Sequence, residues 1–321
     1  MSDTGSPTRR KLIGFVAGVV AGAGFALALY LLAQHMLPGS GLLVFSVLLI
    51  PAAACALATL IGVAPGKNAG AEMIALSAWV ITALLLGSAW FLKEGVICLA
   101  MAAPIFYPIG LLGGAIVVWL RGRTKSRTPP AMVVLLPLLM LPLERPDAYP
   151  TMHDEVVTTI EIDAAIDAVW REAVEIRDIA ESEQSWTITQ SLLGVPRPVD
   201  ARLIARGDEM VRAATWRGDV RFFEVVEEWR PNAAVVWRFD IPEATADRLL
   251  DRHLRLDEDY LTLKGGRYEF TALSPTRTRL TLTTTYSART PFNAYARAWG
   301  DLVLGDIHNN VLSIVRCRAE T

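Results

Sequence analysis

Cysteine is scarce in this chain of 321 residues. Its three cysteines, Cys55, Cys98 and Cys317, lie far apart. The first two sit inside apolar runs, so neither a disulfide framework nor a zinc site is indicated. Histidine is almost as rare, with four residues and no His/Cys pair at ligand spacing; no metal is expected. There is no Gly-rich phosphate loop, and Gly265-Gly266 reads as a hairpin turn. No Ser-His-Asp order can be recognised, so no cofactor is expected and no catalytic residue is assigned. Charge is what the first part of the chain lacks most. Residues 1–143 carry nine Lys/Arg and three Asp/Glu, almost all in short connectors, and the remaining 22 Lys/Arg and 30 Asp/Glu follow. The C-terminal half is therefore acidic and has no basic footprint for nucleic acid.

Uncharged apolar runs fill the N-terminal half. Leu12 to Leu37 carries no formal charge and is too long for a signal-peptide core. Leu42 to Ala64, Ala71 to Leu92 and Val96 to Leu120 follow, separated by Pro38-Gly39-Ser40-Gly41, Pro65-Gly66-Lys67-Asn68 and Lys93-Glu94-Gly95. Residues 1–127 thus read as a four-helix transmembrane domain, and the chain as an integral protein of a bacterial inner membrane. Arg9, Arg10, Lys11, Lys67, Arg121, Arg123, Lys125 and Arg127 all fall on one side, which places the N-terminus in the cytoplasm. Residues 128–150 combine a short apolar run, Ala131 to Leu143, with a proline-bounded linker. If that run crosses as a fifth span, the C-terminal domain is periplasmic; if not, it is cytoplasmic. The cost of leaving such a run in water favours crossing. Only Glu72 and His35 lie near span ends and nothing charged lies mid-span, which argues against an ion-coupled transporter. Gly14, Gly18 and Gly22 form a small-residue face on the first span, suited to close helix packing or to a homo-oligomer.

Residues 151–321 change character. Val156 to Ile162 is rich in Val, Thr and Ile and predicts a strand. Asp163 is placed to cap a helix through Ile166, Val169, Trp170 and Ala173, and a second short helix is expected over Arg177 to Glu183. Six further strands are predicted at about Asp200–Ala205, Glu209–Trp216, Asp219–Trp229, Ala234–Ile241, Gly266–Leu273 and Arg277–Ser287. Their short connections require antiparallel neighbours. Thr290-Pro291 then opens a long amphipathic helix to Arg318, with Tyr295, Trp299, Val303, Ile307, Val311 and Ile314 on one face. A helix of about 25 residues runs for roughly 38 Å and needs an equally long apolar surface.

The order strand, two helices, six strands in meander, long helix resembles the START-like (SRPBCC, polyketide cyclase/dehydrase-like) helix-grip superfamily. The local motif is Ile162-Asp163-Ala164-Ala165-Ile166-Asp167-Ala168-Val169-Trp170, although the family commonly has Pro where this chain has Ala165. The ending Trp299…Ile307-His308-Asn309-Asn310-Val311-Leu312 is similar to the last helix of membrane-attached members. The fold class expected is an α-helical transmembrane bundle followed by an α+β domain, a seven-stranded antiparallel sheet wrapped on a C-terminal helix.

The resemblance implies a cavity between sheet and last helix. Its candidate wall is Trp186, Trp216, Trp229, Trp237, Phe239, Tyr268, Phe270, Tyr295 and Trp299, with simple core packing as the competing reading of each aromatic. His308 is offset from the apolar stripe and reads as a packing or surface hydrogen-bonding group. His253, in the charged stretch Asp247 to Asp259, reads as solvated. Glu224, Glu227, Glu228, Arg238 and Glu269 sit on strands, and any that points inward is a buried charge in need of a partner. A single bulge decides which does. Three functions follow. The first is a membrane-anchored domain that binds a hydrophobic small molecule or lipid. The others are a cyclase- or hydratase-like enzyme using the same cavity, and an interaction module with a filled core.

Overall fold

The computed structural model of the chain describes residues 7–36, 48–92, 94–123, 128–140, 143, 149–242 and 261–321. Two compact units separate, Met1–Glu94 with Cys98–Tyr149, and Gly95–Ile97 with Pro150–Thr321. The charged stretch around His253 and the start of the second predicted span lie outside the described residues.

The first unit is helical: α1 (Pro7–Met36), α2 (Ile50–Gly62), α3 (Ala69–Gly87, prolonged by a π turn to Leu92), α4 (Val96–Arg123) and α5 (Thr128–Met140). The segments Thr8–Ala33, Ala69–Phe91 and Val96–Arg123 are long and apolar enough to cross a membrane, and α2 is a shorter apolar helix. Pro104 and Pro108 lie inside α4 without ending it. The outward surface is apolar as well: Leu12, Val16, Val20, Leu31, Trp90, Phe91, Leu135 and Leu139 are all exposed. Such a surface is stable in hydrocarbon and not in water.

The glycine face of α1 is filled from within the chain. A Cβ at Gly18 would sit 2.9 Å from the Ala58 carbonyl oxygen, and one at Gly22 would sit 2.7 Å from that of Ala54. Both partners are on α2, so this face is not free to build the homo-oligomer considered from sequence. At the other end of α2, Arg121 of α4 donates to the carbonyls of Leu60 (2.7 Å), Val63 (2.8 Å) and Thr59 (3.2 Å). The guanidinium thereby satisfies acceptors that the end of a helix leaves without intrahelical partners.

Among its described residues, the second unit is one antiparallel sheet with two α-helices. Its strands are β1 (Met152–Ile162), β2 (Pro198–Arg206), β3 (Glu209–Trp216), β4 (Val220–Arg230), β5 (Ala234–Asp240), β6 (Leu261–Ser274) and β7 (Arg277–Ala288). Helix α6 (Ile166–Val174) follows β1, and α7 (Asn293–Ala319) ends the chain. The sheet order is β1-β7-β6-β5-β4-β3-β2, a meander from β2 to β7 with β1 added beside β7. The inner face is set by strand alternation: Leu280, Leu282, Tyr268, Phe270, Val235 and Trp237 form one buried core with Val169, Trp170 and Ala173 of α6 and Val311, Leu312, Ile314 and Val315 of α7.

Three local expectations are corrected. Gly265-Gly266 is no turn: it lies inside β6, with a register shift between Leu263 and Gly265. A Cβ at Gly266 would come within 2.5 Å of the Trp237 indole, so glycine here is the space into which Trp237 packs. The predicted helix over 177–183 is only a 3-10 turn at Glu181–Glu183, because the bridge between Ile176 and Ala201 holds the preceding chain against β2. Asp163 does not cap α6, whose first residues follow Ala165 with no side-chain cap.

Candidate functional site

Arg212 of β3 and Glu224 of β4 are direct cross-strand partners. Both side chains point to the inner face and are buried, at 8 % and 6 % exposure. Arg212 Nε lies 2.8 Å from Glu224 Oε2, but off the N–H direction, so the contact is ionic rather than an aligned hydrogen bond. Nη1 of Arg212 reaches the Ala173 carbonyl at 3.4 Å. That carbonyl belongs to the last turn of α6, where the helix dipole favours a cation. The guanidinium also lies beside two aromatic rings, Tyr268 at 5.4 Å and Trp237 at 5.5 Å.

Burial pushes the Glu224 carboxyl above the usual carboxylate range, and Arg212 opposes that shift. Burial likewise raises the Tyr268 phenol, again against the pull of Arg212. An ion pair in such a place is expensive: each charge loses hydration worth several kcal/mol, and the attraction between them only partly offsets it.

A small cavity opens against this pair. It is lined by Val174, Leu203, Arg212, Glu224, Val226, Trp229, Val235 and Trp237, and has room for about one water molecule. Trp237 Nε1 is buried in the wall with no hydrogen-bond partner among the described residues. Trp229 reaches the wall because of a bulge. The β4–β5 register shifts between Val226 and Glu228, so Val226 and Trp229 share the inner face while Glu227 and Glu228 are exposed. Trp170 of α6 then packs on Trp229 at 5.1 Å and on Phe270 at 5.0 Å.

Of the nine aromatics named from sequence, Trp229 and Trp237 line this cavity. Tyr268 and Phe270 stand behind them in the same core, and Phe239 packs at its margin. Trp216 belongs with Phe222 to a second cluster toward the end of β3. Tyr295 and Trp299 pack on each other near the start of α7, 6.3 Å apart, and do not line this cavity. Trp186 is exposed. Among the five charged strand positions, Glu224 alone is buried; Glu227, Glu228 and Arg238 are exposed and Glu269 is half-buried. Sequence reading passed over Arg212. The signal was its place on one face with Ala214 and Trp216, opposite Glu224.

A second polar site ties α7 to the sheet. His308 is buried, with Nδ1 3.0 Å from Thr158 Oγ1 of β1 and Nε2 2.8 Å from Thr284 Oγ1 of β7. Burial pushes its pKa down to about 4, so the ring is neutral near pH 7. One ring nitrogen donates to a threonine and the other accepts from one.

No protein-family model matches the chain, and no curated protein matches it. Among solved structures, similarity is found to the Zhui aromatase/cyclase from Streptomyces sp. R1128 at 12 % identity, covering 52 % of this chain and 94 % of that one, with a TM-score of 0.32. A START superfamily protein from Mycobacterium smegmatis is 13 % identical over 53 % of this chain and 98 % of that one, with a TM-score of 0.33. Truncated norcoclaurine synthase from Thalictrum flavum is 11 % identical over 53 % and 96 %, also at 0.33. What decides the fold is the strand order of the second unit, with its long last helix packed on the inner face. The C-terminal unit is a helix-grip domain. The helix-grip domain keeps its buried charge on β3 and β4, and its last helix is fastened through β1 and β7.

Proposed function

We propose that this is a membrane-anchored helix-grip domain that binds a hydrophobic small molecule or lipid against the inner face of its sheet. The helices of residues 1–127 act as a four-helix anchor that confines the domain where such ligands are concentrated. The observation that carries this reading is the Arg212–Glu224 pair in the wall of an apolar cavity. A filled core has no use for two buried charges and an unpartnered indole N–H, whereas a ligand site needs a few polar groups to orient a mostly apolar guest. The pair is neutral overall, so the guest that suits it is uncharged, with one polar end that accepts from Trp237 Nε1.

A second reading, a non-catalytic interaction module with a filled core, is favoured by the size of the cavity, which takes about one water. One experiment separates the two. The full chain is extracted in mild detergent, and small molecules retained one per chain are identified by mass spectrometry. The same is done for the double variant Arg212→Met/Glu224→Leu. A molecule held by the parent and lost from the variant supports the binding site. Identical lipid profiles for the two proteins would favour the filled core.

A further inference from the structure

The segment from Ser185 to Leu192 is built inside out. Its polar side chains Thr187, Thr189 and Gln190 are buried, while Trp186, Ile188 and Leu192 are exposed at 71 %, 40 % and 65 %. The inward side is fixed from α7. Asn310 Oδ1 accepts from the Ser185 N–H at 2.8 Å, Asn310 Nδ2 donates to Gln190 Oε1 at 2.7 Å, and Asp306 Oδ2 accepts from the Thr189 N–H at 2.9 Å. The loop cannot turn its apolar side chains inward without breaking these bonds. In water that arrangement is unfavourable, since three apolar side chains stay hydrated while polar ones are desolvated.

We propose that this loop is a bilayer-contacting surface, with Trp186, Ile188 and Leu192 seated at the interface of the membrane that holds the N-terminal helices. Three observations choose a bilayer over another occupant. Trp pairs an apolar ring with a polar N–H and favours the headgroup level. Arg197 Nη2 donates to Ser191 Oγ at 2.7 Å, and among the described residues no acidic side chain lies within salt-bridge reach of Arg197. A cation is thereby left at the loop's edge for anionic headgroups. Finally, α5, whose Leu135 and Leu139 are exposed, ends at Met140 and β1 starts at Met152. The eleven residues between reach at most about 40 Å when extended, which tethers the start of β1 within that distance of the end of α5.

This inference rests on the membrane reading of the N-terminal helices and not on the cavity. The test uses the full chain in lipid nanodiscs, with Cys98→Ala and Cys317→Ser and one spin label at a time. The labelled variants are L192C, V16C on the exposed face of the first span as the lipid reference and R221C as the water reference. Collision with oxygen is compared with collision with a water-soluble nickel chelate. The expected oxygen-to-chelate ratio at 192 is several-fold above that at 221 and close to that at 16. Arg197→Glu should lower it in phosphatidylglycerol-containing discs more than in phosphatidylcholine alone. A ratio at 192 equal to that at 221 overturns the proposal. So does a label at 192 shielded from both reagents, which means a protein cover. A water-like label at 16, inside the first span, would show instead that the anchor reading fails, and the proposal with it.

Discussion

Arg212 and Glu224 oppose each other on adjacent strands with 2.8 Å between Nε and Oε2, and both are buried. Breaking such a pair leaves a bare buried charge, at a cost of about 3–5 kcal/mol. The two halves are not equivalent. Without Arg212, Glu224 can take up a proton, which its burial already favours; without Glu224, the guanidinium stays charged at any attainable pH. Glu224→Leu should therefore destabilise the helix-grip domain more than Arg212→Met at pH 7. The cost of Arg212→Met should shrink as the pH is lowered. The double variant should be at least as stable as the parent. Denaturant unfolding of the full chain in detergent measures all three, and equal single-variant costs at every pH would contradict the account.

The buried imidazole gives a pH dependence of known sign. His308 has a folded pKa of about 4 against 6.5 unfolded. Between those values the unfolded chain binds more protons, so stability is full above pH 6.5 and is lost as the pH falls toward 4. The loss comes to ~3 kcal/mol. Glu183, held below the usual carboxylate range by Arg318, adds a loss only near and below pH 4.5. Above pH 4.5 Glu224, raised by burial, works in the opposite sense, so the part of the 6.5 to 4.5 window that belongs to His308 is read as the difference between the parent and a His308 variant. His308→Gln, which can still bond both threonines, should flatten the stability profile across that window; an unchanged slope would place the titration elsewhere.

Periodicity carries far in this chain, and it stops where the backbone departs from a simple repeat. Alternation along Val235, Trp237 and Phe239, and along Leu280, Leu282 and Thr284, put the right residues on the inner face. Apolar runs of 22 or more residues mark the three long helices. The inner place of Trp229 depends on a bulge at Glu227, which a two-residue period cannot report. Gly265-Gly266 has turn composition but serves a strand, because what glycine supplies there is room for Trp237. The predicted stripe on α7 runs from Tyr295 and Trp299 to Val311 and Ile314, and burial falls only on its C-terminal part, on Val311 and Ile314 together with His308, Asn310, Leu312 and Val315. Polar groups at buried positions look like a polar face until their partners are known, and all of those partners except Thr284 lie more than a hundred residues away.

Close approach of α1 and α2 makes a sharp prediction. A side chain at Gly22 meets the Ala54 carbonyl at 2.7 Å, a backbone atom that cannot swing aside. Gly22→Leu should push the helices apart and destabilise the first unit by about 1–3 kcal/mol, without changing the number of chains per particle. Light scattering coupled to size exclusion, together with thermal unfolding in detergent, checks both halves. A change of oligomeric state at unchanged melting temperature would instead return the glycine face to an intermolecular role.

Asn310 is fully buried and makes three bonds to one loop: it accepts from Ser185 N–H and donates to Gln184 Oε1 at 2.8 Å and to Gln190 Oε1 at 2.7 Å. The two glutamines in turn donate to the carbonyls of Pro198 (2.6 Å) and Pro196 (3.1 Å), so one side chain orders the whole path from Gln184 to β2. Asn310→Leu has similar volume and none of these partners. It should leave at least one buried acceptor unsatisfied, at about 1–3 kcal/mol for each group stranded. The loss is local, since the apolar core beneath α7 is untouched. Amide hydrogen exchange should therefore quicken over Ser185–Leu193 and change little in β5–β7. Protease cleavage should also appear within that loop. Uniform acceleration across the domain would mean that Asn310 holds α7 itself and not the loop that carries Trp186.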